Sequence, residues 1–381
     1  MIVNIDEVRS RARCRLPGWL FDYVDGGAGS ERTLHGNVAG FGKYAFLPRV
    51  LRGVAEPDLS VNILGASWSL PIMPGPVGFC GLLHAGGELL AMRAAMACGV
   101  PMAISTYAIA SMEDVAHMAD PARVMMQLYV LRDRTILCDL LARSDRCGIR
   151  TIILTVDTTV TPARERDVRN GFRSGRAARL SVSQMAQIVC RPRWLMGVMR
   201  NGAPVMGNVS CYGMGNTLFE QSVRMGRQMD ATLDWNDLAW LRDNWKGKLV
   251  VKGILHPADA LRCATMGIDA IVVSNHGGRQ MDGALSTIEA LPPIADAVRN
   301  RMNILVDSGF RDGTDVVKAL ALGAHGVMLG RPYAYGLAAG GEQGVKDVLD
   351  YFAQGIRSSL SLLGVPSVRE LYPRRGDYLH S

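Results

Sequence analysis

From residue 70 onward, short runs of β-branched and apolar residues alternate with longer stretches whose apolar positions recur every three or four residues. The short runs predict strands over 71–74, 102–105, 124–128, 151–156, 249–252, 270–274, 303–307 and 326–329. The longer ones predict helices near 87–98, 111–118, 133–147, 235–244, 257–266, 285–299 and 312–322, with 333–340 or 342–362 closing the series. Repeated strand–helix units predict an α/β fold, a (β/α)8 TIM barrel with an N-terminal helical extension and a long insertion after strand four. A doubly wound sheet is the alternative, but it needs a glycine-rich phosphate turn after its first strand. Gly27-Ala-Gly29 lacks the third glycine and follows helix-like residues.

With 381 residues, 48% of them hydrophobic and 20% charged, the chain can bury one large core. A barrel of this kind uses about 250 residues as one domain and accepts insertions, so residues 1–381 are expected to form a single domain. Cysteines at 14, 80, 98, 138, 147, 190, 211 and 263 show no CxxC and no cysteine–histidine ligand spacing. No metal is expected, and a reducing, intracellular setting is. The N-terminus mixes acids and arginines with no apolar stretch behind them, so no signal peptide is expected and a cytoplasmic location is. Two uncharged stretches, 59–87 and 94–112, have membrane-span length, but the first holds three prolines and six glycines and the second breaks at Gly99-Val-Pro101.

The net charge of +7 is local in origin. Residues 168–219 contain no Asp, Glu or Lys but seven arginines; removing those from the 42 basic residues leaves 35 against 35 acidic ones. No nucleic-acid-binding pattern accompanies the charge, so no nucleic acid is expected as partner. The segment lies within 158–233, a connection too long to be idle in a compact fold. Arg179 to Arg200 combines arginines with Trp194, Leu195, Met196, Val198 and Met199. A solvated lid is one reading; a segment docking on an anionic membrane surface is the sharper one.

Barrel chemistry sits where strands end, so those positions are read together. They are Ser105, Gln127-Leu-Tyr129, Thr155-Val-Asp157, Lys252, Ser274-Asn-His276-Gly-Gly-Arg279, Asp307-Ser-Gly309-Phe-Arg311 and Gly330-Arg331. Glycine-rich turns after strands seven and eight, each with an arginine, suit a phosphate group. His276 is a candidate general base, Asp157 the acid placed to stabilise its imidazolium, and Arg279 a two-bond clamp for a carboxylate.

The strings SNHGGRQMDG, DSGFRDGTDVVKALALGAHGVMLGRP and FDYVDGGAGSERT resemble the FMN-dependent L-2-hydroxy acid oxidising family over about residues 3–365. RQMDATLDWNDLAWLRDNW and ARERD are similar to mandelate dehydrogenases, and GNVSCYG to membrane-linked lactate dehydrogenases. The resemblance implies that His276 takes the substrate proton and Asp157 pairs with it. It implies that Arg279 and Tyr23 bind the carboxylate, with Arg164 auxiliary and Tyr129 bonding the hydroxyl. FMN would meet the backbone of Pro76, Val77 and Gly78 and the side chains of Ser105, Gln127, Thr155, Lys252 and Ser274. Its phosphate would lie on Asp307, Gly309, Arg311, Gly330 and Arg331. Lys252 would there stabilise negative charge on the flavin. Tyr107 stands where short-chain glycolate oxidases carry a bulky aromatic, so it is a candidate for the substrate wall.

The expected activity is oxidation of a mandelate- or lactate-type L-2-hydroxy acid to the 2-keto acid, with electrons passing through FMN to a quinone-type acceptor. An O2-using oxidase or another FMN-barrel reaction such as isomerisation is the alternative. Glycine at position 78, where family oxidases tend to have alanine, favours the quinone. The resemblance also implies a homo-oligomer, a tetramer, and a peripheral location on the inner face of the cell membrane.

Overall fold

The computed structural model describes residues 2–160, 162–170, 181–200, 204–299, 301–373 and 375–380. Eight parallel strands follow one another around a barrel: β1 (Ile72–Pro74), β2 (Met102–Ser105), β3 (Val124–Leu128), β4 (Thr151–Thr155), β5 (Lys248–Ile254), β6 (Ala270–Val273), β7 (Asn303–Val306) and β8 (Gly326–Leu329). Each from β2 to β8 is laddered to the next, and β8 returns to β1 through Val327 opposite Ile72 and Leu329 opposite Pro74. β1 and β2 pack side by side and close the ring. The strands coincide with the predicted apolar runs to within one or two residues, because only strands buried on both faces read as nearly continuous apolar sequence.

Helices Gly87–Ala97, Met112–Met118, Arg134–Arg146, Trp235–Asn244, Pro257–Thr265, Thr287–Val298 and Gly313–Ala321 fall where periodicity predicts them. Their starts are written in the chain: Ser111, Asp133, Asp234 and Asp312 each accept from first-turn backbone N–H groups. The two alternatives for the last helix are both present. Arg331–Leu363 runs as one element broken at Gly341, whose φ of 61° and ψ of −136° leave the helical region. This element packs on Gly87–Ala97 and on the first helix, Ile5–Arg15. The N-terminal extension continues through Gly18–Asp25 and Arg32–Ala39. At the opposite end of the barrel, the hairpin Val61–Ile63/Ala66–Trp68 buries Ile63 and Trp68 against the start of β8.

The long connection after β4 is more ordered than its sequence announces. It contains helices Glu165–Arg169, Val182–Val189, Pro192–Arg200 and Leu218–Gln228, while 171–180 and 201–203 lie outside the described residues. Three of its seven arginines, at 173, 176 and 179, are therefore not described. Trp194 Nε1 donates to the Leu82 carbonyl (2.6 Å), Arg191 Nε to Leu16 O (3.0 Å), and Trp19 N to Gln187 Oε1 (3.3 Å). The return path is locked by two buried amides. Asn208 donates to Ser105 O (3.0 Å) and accepts from Met112 N (2.7 Å), while Gln221 accepts from Met206 N (2.6 Å). Among the described residues no helix is long and apolar enough to cross a membrane.

Candidate active site

A cavity of about 500 Å3 opens at the C-terminal ends of the strands, and residues from every part of the predicted set meet around it. Its wall includes Pro76, Val77 and Gly78 after β1, Ser105 and Tyr107 after β2, Tyr129 after β3 and Lys252 on β5. His276 and Arg279 follow β6, Asp307, Gly309 and Arg311 follow β7, and Gly330 and Arg331 follow β8. Tyr23 enters from the N-terminal extension and Arg164 from the insertion. Gln127, Thr155, Ser274 and Asp157 stand behind this wall rather than on it. Gln127 Nε2 donates to Thr155 Oγ1 (3.0 Å) and Ser105 Oγ to Gln127 Oε1 (3.2 Å). Lys252 Nζ donates to Ser274 Oγ (2.7 Å) and pairs with Asp307 at 2.8 Å.

His276 sits at the left-handed φ of 57°, a backbone conformation that a non-glycine residue keeps only when its surroundings hold it there. The surroundings are visible: Ser274 Oγ accepts from its N–H (3.0 Å), and Asp157 Oδ1 lies 3.0 Å from its Nδ1. A carboxylate acceptor at Nδ1 fixes the proton there and leaves the lone pair on Nε2. Burial, aided by the charges of Lys252 and Arg164, pulls the imidazole below its ordinary range, against the opposing pull of Asp157. Burial also pushes the Asp157 carboxyl up, but His276 and Lys252 outweigh it, so this acid stays ionised. Room for Asp157 comes from a bulge in β5. Gly253 has φ 110°, and a Cβ there would lie 2.7 Å from the Asp157 side chain.

Cations dominate the rest of the wall. Burial pulls Lys252 down, yet Asp307 and Asp157 more than compensate and keep it charged. Arg331 is pulled down to about 10 by burial and its Arg279 and Arg311 neighbours. Its partners are backbone carbonyls, and among the described residues no carboxylate reaches ion-pair distance of Arg331 or Arg311. Half-buried guanidinium groups beside Gly309 and Gly330 are the donor set a phosphate requires. A Cβ on Gly330 would meet nothing within 4 Å, so that turn is open to a ligand. These residues fit FMN: cations for its phosphate, an amide–hydroxyl–ammonium row along β2 to β6, and a bare backbone at Gly78.

The opposite side is aromatic and phenolic. Phe79 meets Tyr107 at 5.7 Å between ring centroids, and Tyr107 meets Tyr129 at 5.6 Å. Burial pushes the Tyr23 and Tyr129 phenols up, so both remain O–H donors. Arg279 lies over the Tyr23 ring, 4.9 Å from its centroid. Its Nη1 donates to Tyr23 O and Gly26 O, and among the described residues no hydrogen bond engages its Nε or Nη2.

The sequence reading missed the roof. Phe219, Ser222, Val223, Gly226 and Arg227 of helix Leu218–Gln228 line the cavity, followed by Met229. Their spacing of three and four residues was the available signal, hidden inside a segment legible mainly by its charge.

Comparison with known proteins agrees with this geometry. The family model described as FMN-dependent dehydrogenase matches residues 12–377. The L-lactate dehydrogenase of Bartonella quintana (strain Toulouse) is 44% identical over 373 residues, covering 97% of this chain and 96% of its own. That of Pectobacterium atrosepticum is 42% identical over 374 residues, covering 97% and 96%. Among solved structures, the monotopic membrane protein (S)-mandelate dehydrogenase superposes with a TM-score of 0.93 at 38% identity, covering 100% of this chain and 99% of its own. A mandelate oxidase with (S)-2-phenylpropionate follows at 0.82 and 34%, covering 98% and 97%. With a family model matched along nearly its whole length and relatives this similar across it, the chain belongs to the FMN-dependent dehydrogenase family.

Proposed function

We propose that this enzyme oxidises a small L-2-hydroxy acid to the 2-keto acid and passes the two electrons to a quinone-type acceptor at a membrane surface. The observation that carries the reading is His276, backed by Asp157, facing the same cavity as Arg279, Tyr23 and Tyr129. Bound FMN supplies the two-electron acceptor. Pro76, Val77 and Gly78, with Ser105 and Lys252, would hold it, braced from behind by Gln127, Thr155 and Ser274, and Asp307, Gly309, Arg311, Gly330 and Arg331 would take its phosphate.

The chain does the rest. Arg279 grips the substrate carboxylate through Nε and Nη2 in two parallel hydrogen bonds, helped by the Tyr23 hydroxyl and the Arg164 charge. Tyr129 bonds the substrate hydroxyl and Tyr107 bounds the side-chain space. Nε2 of His276 takes the proton that leaves the substrate; Asp157 stabilises the imidazolium that results. The roof helix and the aromatic wall keep water from the reacting carbon.

The insertion supports this acceptor and location. Val182, Val189 and Met199 are 78%, 71% and 71% exposed on two helices, the second of which also carries exposed Arg193 and Arg200. Apolar side chains beside arginines suit the boundary of an anionic bilayer, where a lipid-soluble quinone is at hand. A docked, peripheral enzyme assembled as a homo-oligomer fits this reading.

Anaerobic addition of L-lactate or (S)-mandelate to the yellow protein should bleach the flavin band, with the D-enantiomers inert. A flavin that stays oxidised with a panel of L-2-hydroxy acids overturns the reading.

A further inference from the structure

Two arginines of the cavity wall are held by one short turn. Arg279 Nη1 donates to the carbonyls of Tyr23 and Gly26, the latter at 3.0 Å. Arg331 Nε donates to Val24 O (3.1 Å) and Asp25 O (3.2 Å), and its Nη2 to Gly26 O (2.8 Å). Four consecutive carbonyls thus aim both guanidinium groups, although these belong to loops after different strands.

What fixes the turn is the Asp25 side chain, 4% exposed and outside the cavity wall. Its Oδ1 accepts from Arg9 Nε (2.5 Å) and Tyr335 Oη (2.8 Å); its Oδ2 accepts from Arg9 Nη2 and Arg166 Nη1, both at 2.8 Å. These partners come from the first helix, the start of the insertion and the last helix. Arg166 also reaches Glu31 Oε2 (2.5 Å), whose other oxygen accepts from Gly27 N (2.9 Å), so the far end of the turn is pinned as well. Burial pushes the Asp25 carboxyl up, but the four charge-assisted bonds outweigh it and hold this group well below the usual range.

We propose that Asp25 is a positioning residue for both ligands: its carboxylate fixes the Tyr23–Gly26 carbonyls that aim Arg279 at the substrate carboxylate and Arg331 at the cofactor phosphate. The substrate half of this inference rests on the reading of Arg279 as the carboxylate clamp. A two-bond clamp tolerates little displacement, so a turn that shifts by about 1 Å loses binding without losing the base.

Asp25→Asn keeps the shape but turns one acceptor oxygen into an NH2 that faces donors. In the FMN-loaded enzyme it should raise KM for the hydroxy acid about tenfold and leave kcat within about threefold, since ground state and transition state lose the same contact. FMN affinity, measured by equilibrium dialysis, should fall by a similar factor. Arg9→Met, which removes two of the four bonds without altering the turn's own sequence, should move both values the same way by less, with partial rescue by Arg9→Lys. Arg279→Lys is the control and should itself raise KM.

An Asp25→Asn protein that melts earlier but keeps its KM and FMN affinity has lost only stability, and the positioning role is overturned. If that variant does not fold, Arg9→Met decides on the same two readouts. If Arg279→Lys leaves KM unchanged, the clamp reading fails and takes the substrate half with it, while dialysis still judges the FMN half.

Discussion

The ends of strands β5 to β8 and the insertion after β4 are both rich in positive charge, yet they handle it in opposite ways. At the strand ends the ionisable groups are wholly or partly buried against fixed partners: Lys252 against Asp307 and Ser274, Asp157 against His276, and Arg279 and Arg331 against the carbonyls of the Tyr23–Gly26 turn. In the helices Val182–Val189 and Pro192–Arg200, Arg193 and Arg200 are exposed and lie beside exposed Val182, Met185, Val189, Met196 and Met199. Buried charge with fixed partners keeps a defined protonation state and direction, which chemistry requires. Exposed charge beside exposed apolar surface has neither, and suits a broad, salt-sensitive contact.

The largest effect that could break this contrast is His276→Gln. Turnover should fall by at least about 10²–10⁴-fold, because the base is gone. FMN should stay bound, because the phosphate arginines are untouched, and the flavin absorbance of the purified variant checks that. Near-normal kcat would remove the reason for treating the strand ends as the reacting centre.

A pH profile sharpens the same point. The imidazole is needed unprotonated and lies below its ordinary value of about 6.5, so kcat/KM should hold through neutrality and fall only below that pH. Asp157→Asn removes the negative charge that raises the imidazole, so the acid limb should move to still lower pH as the rate drops. A limb that moves upward would show that another group is being titrated.

On the insertion side, the full-length protein should sediment with anionic vesicles at low salt and be released as ionic strength rises. Deleting roughly 178–205 should abolish sedimentation and keep turnover with a soluble acceptor. The deletion also removes the Trp194–Leu82 bond, so serine at 182, 189 and 199 is the gentler variant and should weaken docking with full activity. A protein that ignores anionic vesicles returns the insertion to a solvated lid.

The smallest effect is expected from Gly78→Ala, in the turn after β1 against Tyr107 and Tyr23. The added Cβ would lie 3.1 Å from Tyr107 Cβ and 3.5 Å from Tyr23 Oη, a contact eased by shifts of a few tenths of an ångström. Stopped-flow reoxidation should be slow with O2 and fast with a soluble quinone in the parent, with the ratio altered several-fold in the variant. Peroxide formation by the parent at the turnover rate would make it an oxidase.

The eight strands, their helices and the strand-end residues were legible from the sequence because burial on both faces writes an apolar run. The first polar residue after such a run necessarily lies at the rim. The roof helix was not legible, since Phe219 and Val223 have the spacing of any amphipathic helix and nothing local says which surface they cover. Nor was the two-layer division of the site, in which Gln127, Thr155 and Ser274 brace the wall formed by Ser105 and Lys252.

Local periodicity and composition thus dictate the barrel, the identity of its rim residues and the location of the excess charge. Folding brings together what no local pattern shows: Asp157 meets His276 across the bulge at Gly253, one N-terminal turn holds Arg279 and Arg331, and helix Leu218–Gln228 roofs the cavity. The first two join segments more than a hundred residues apart. Their geometry is set by how the ring closes and the extension packs, which no local pattern encodes.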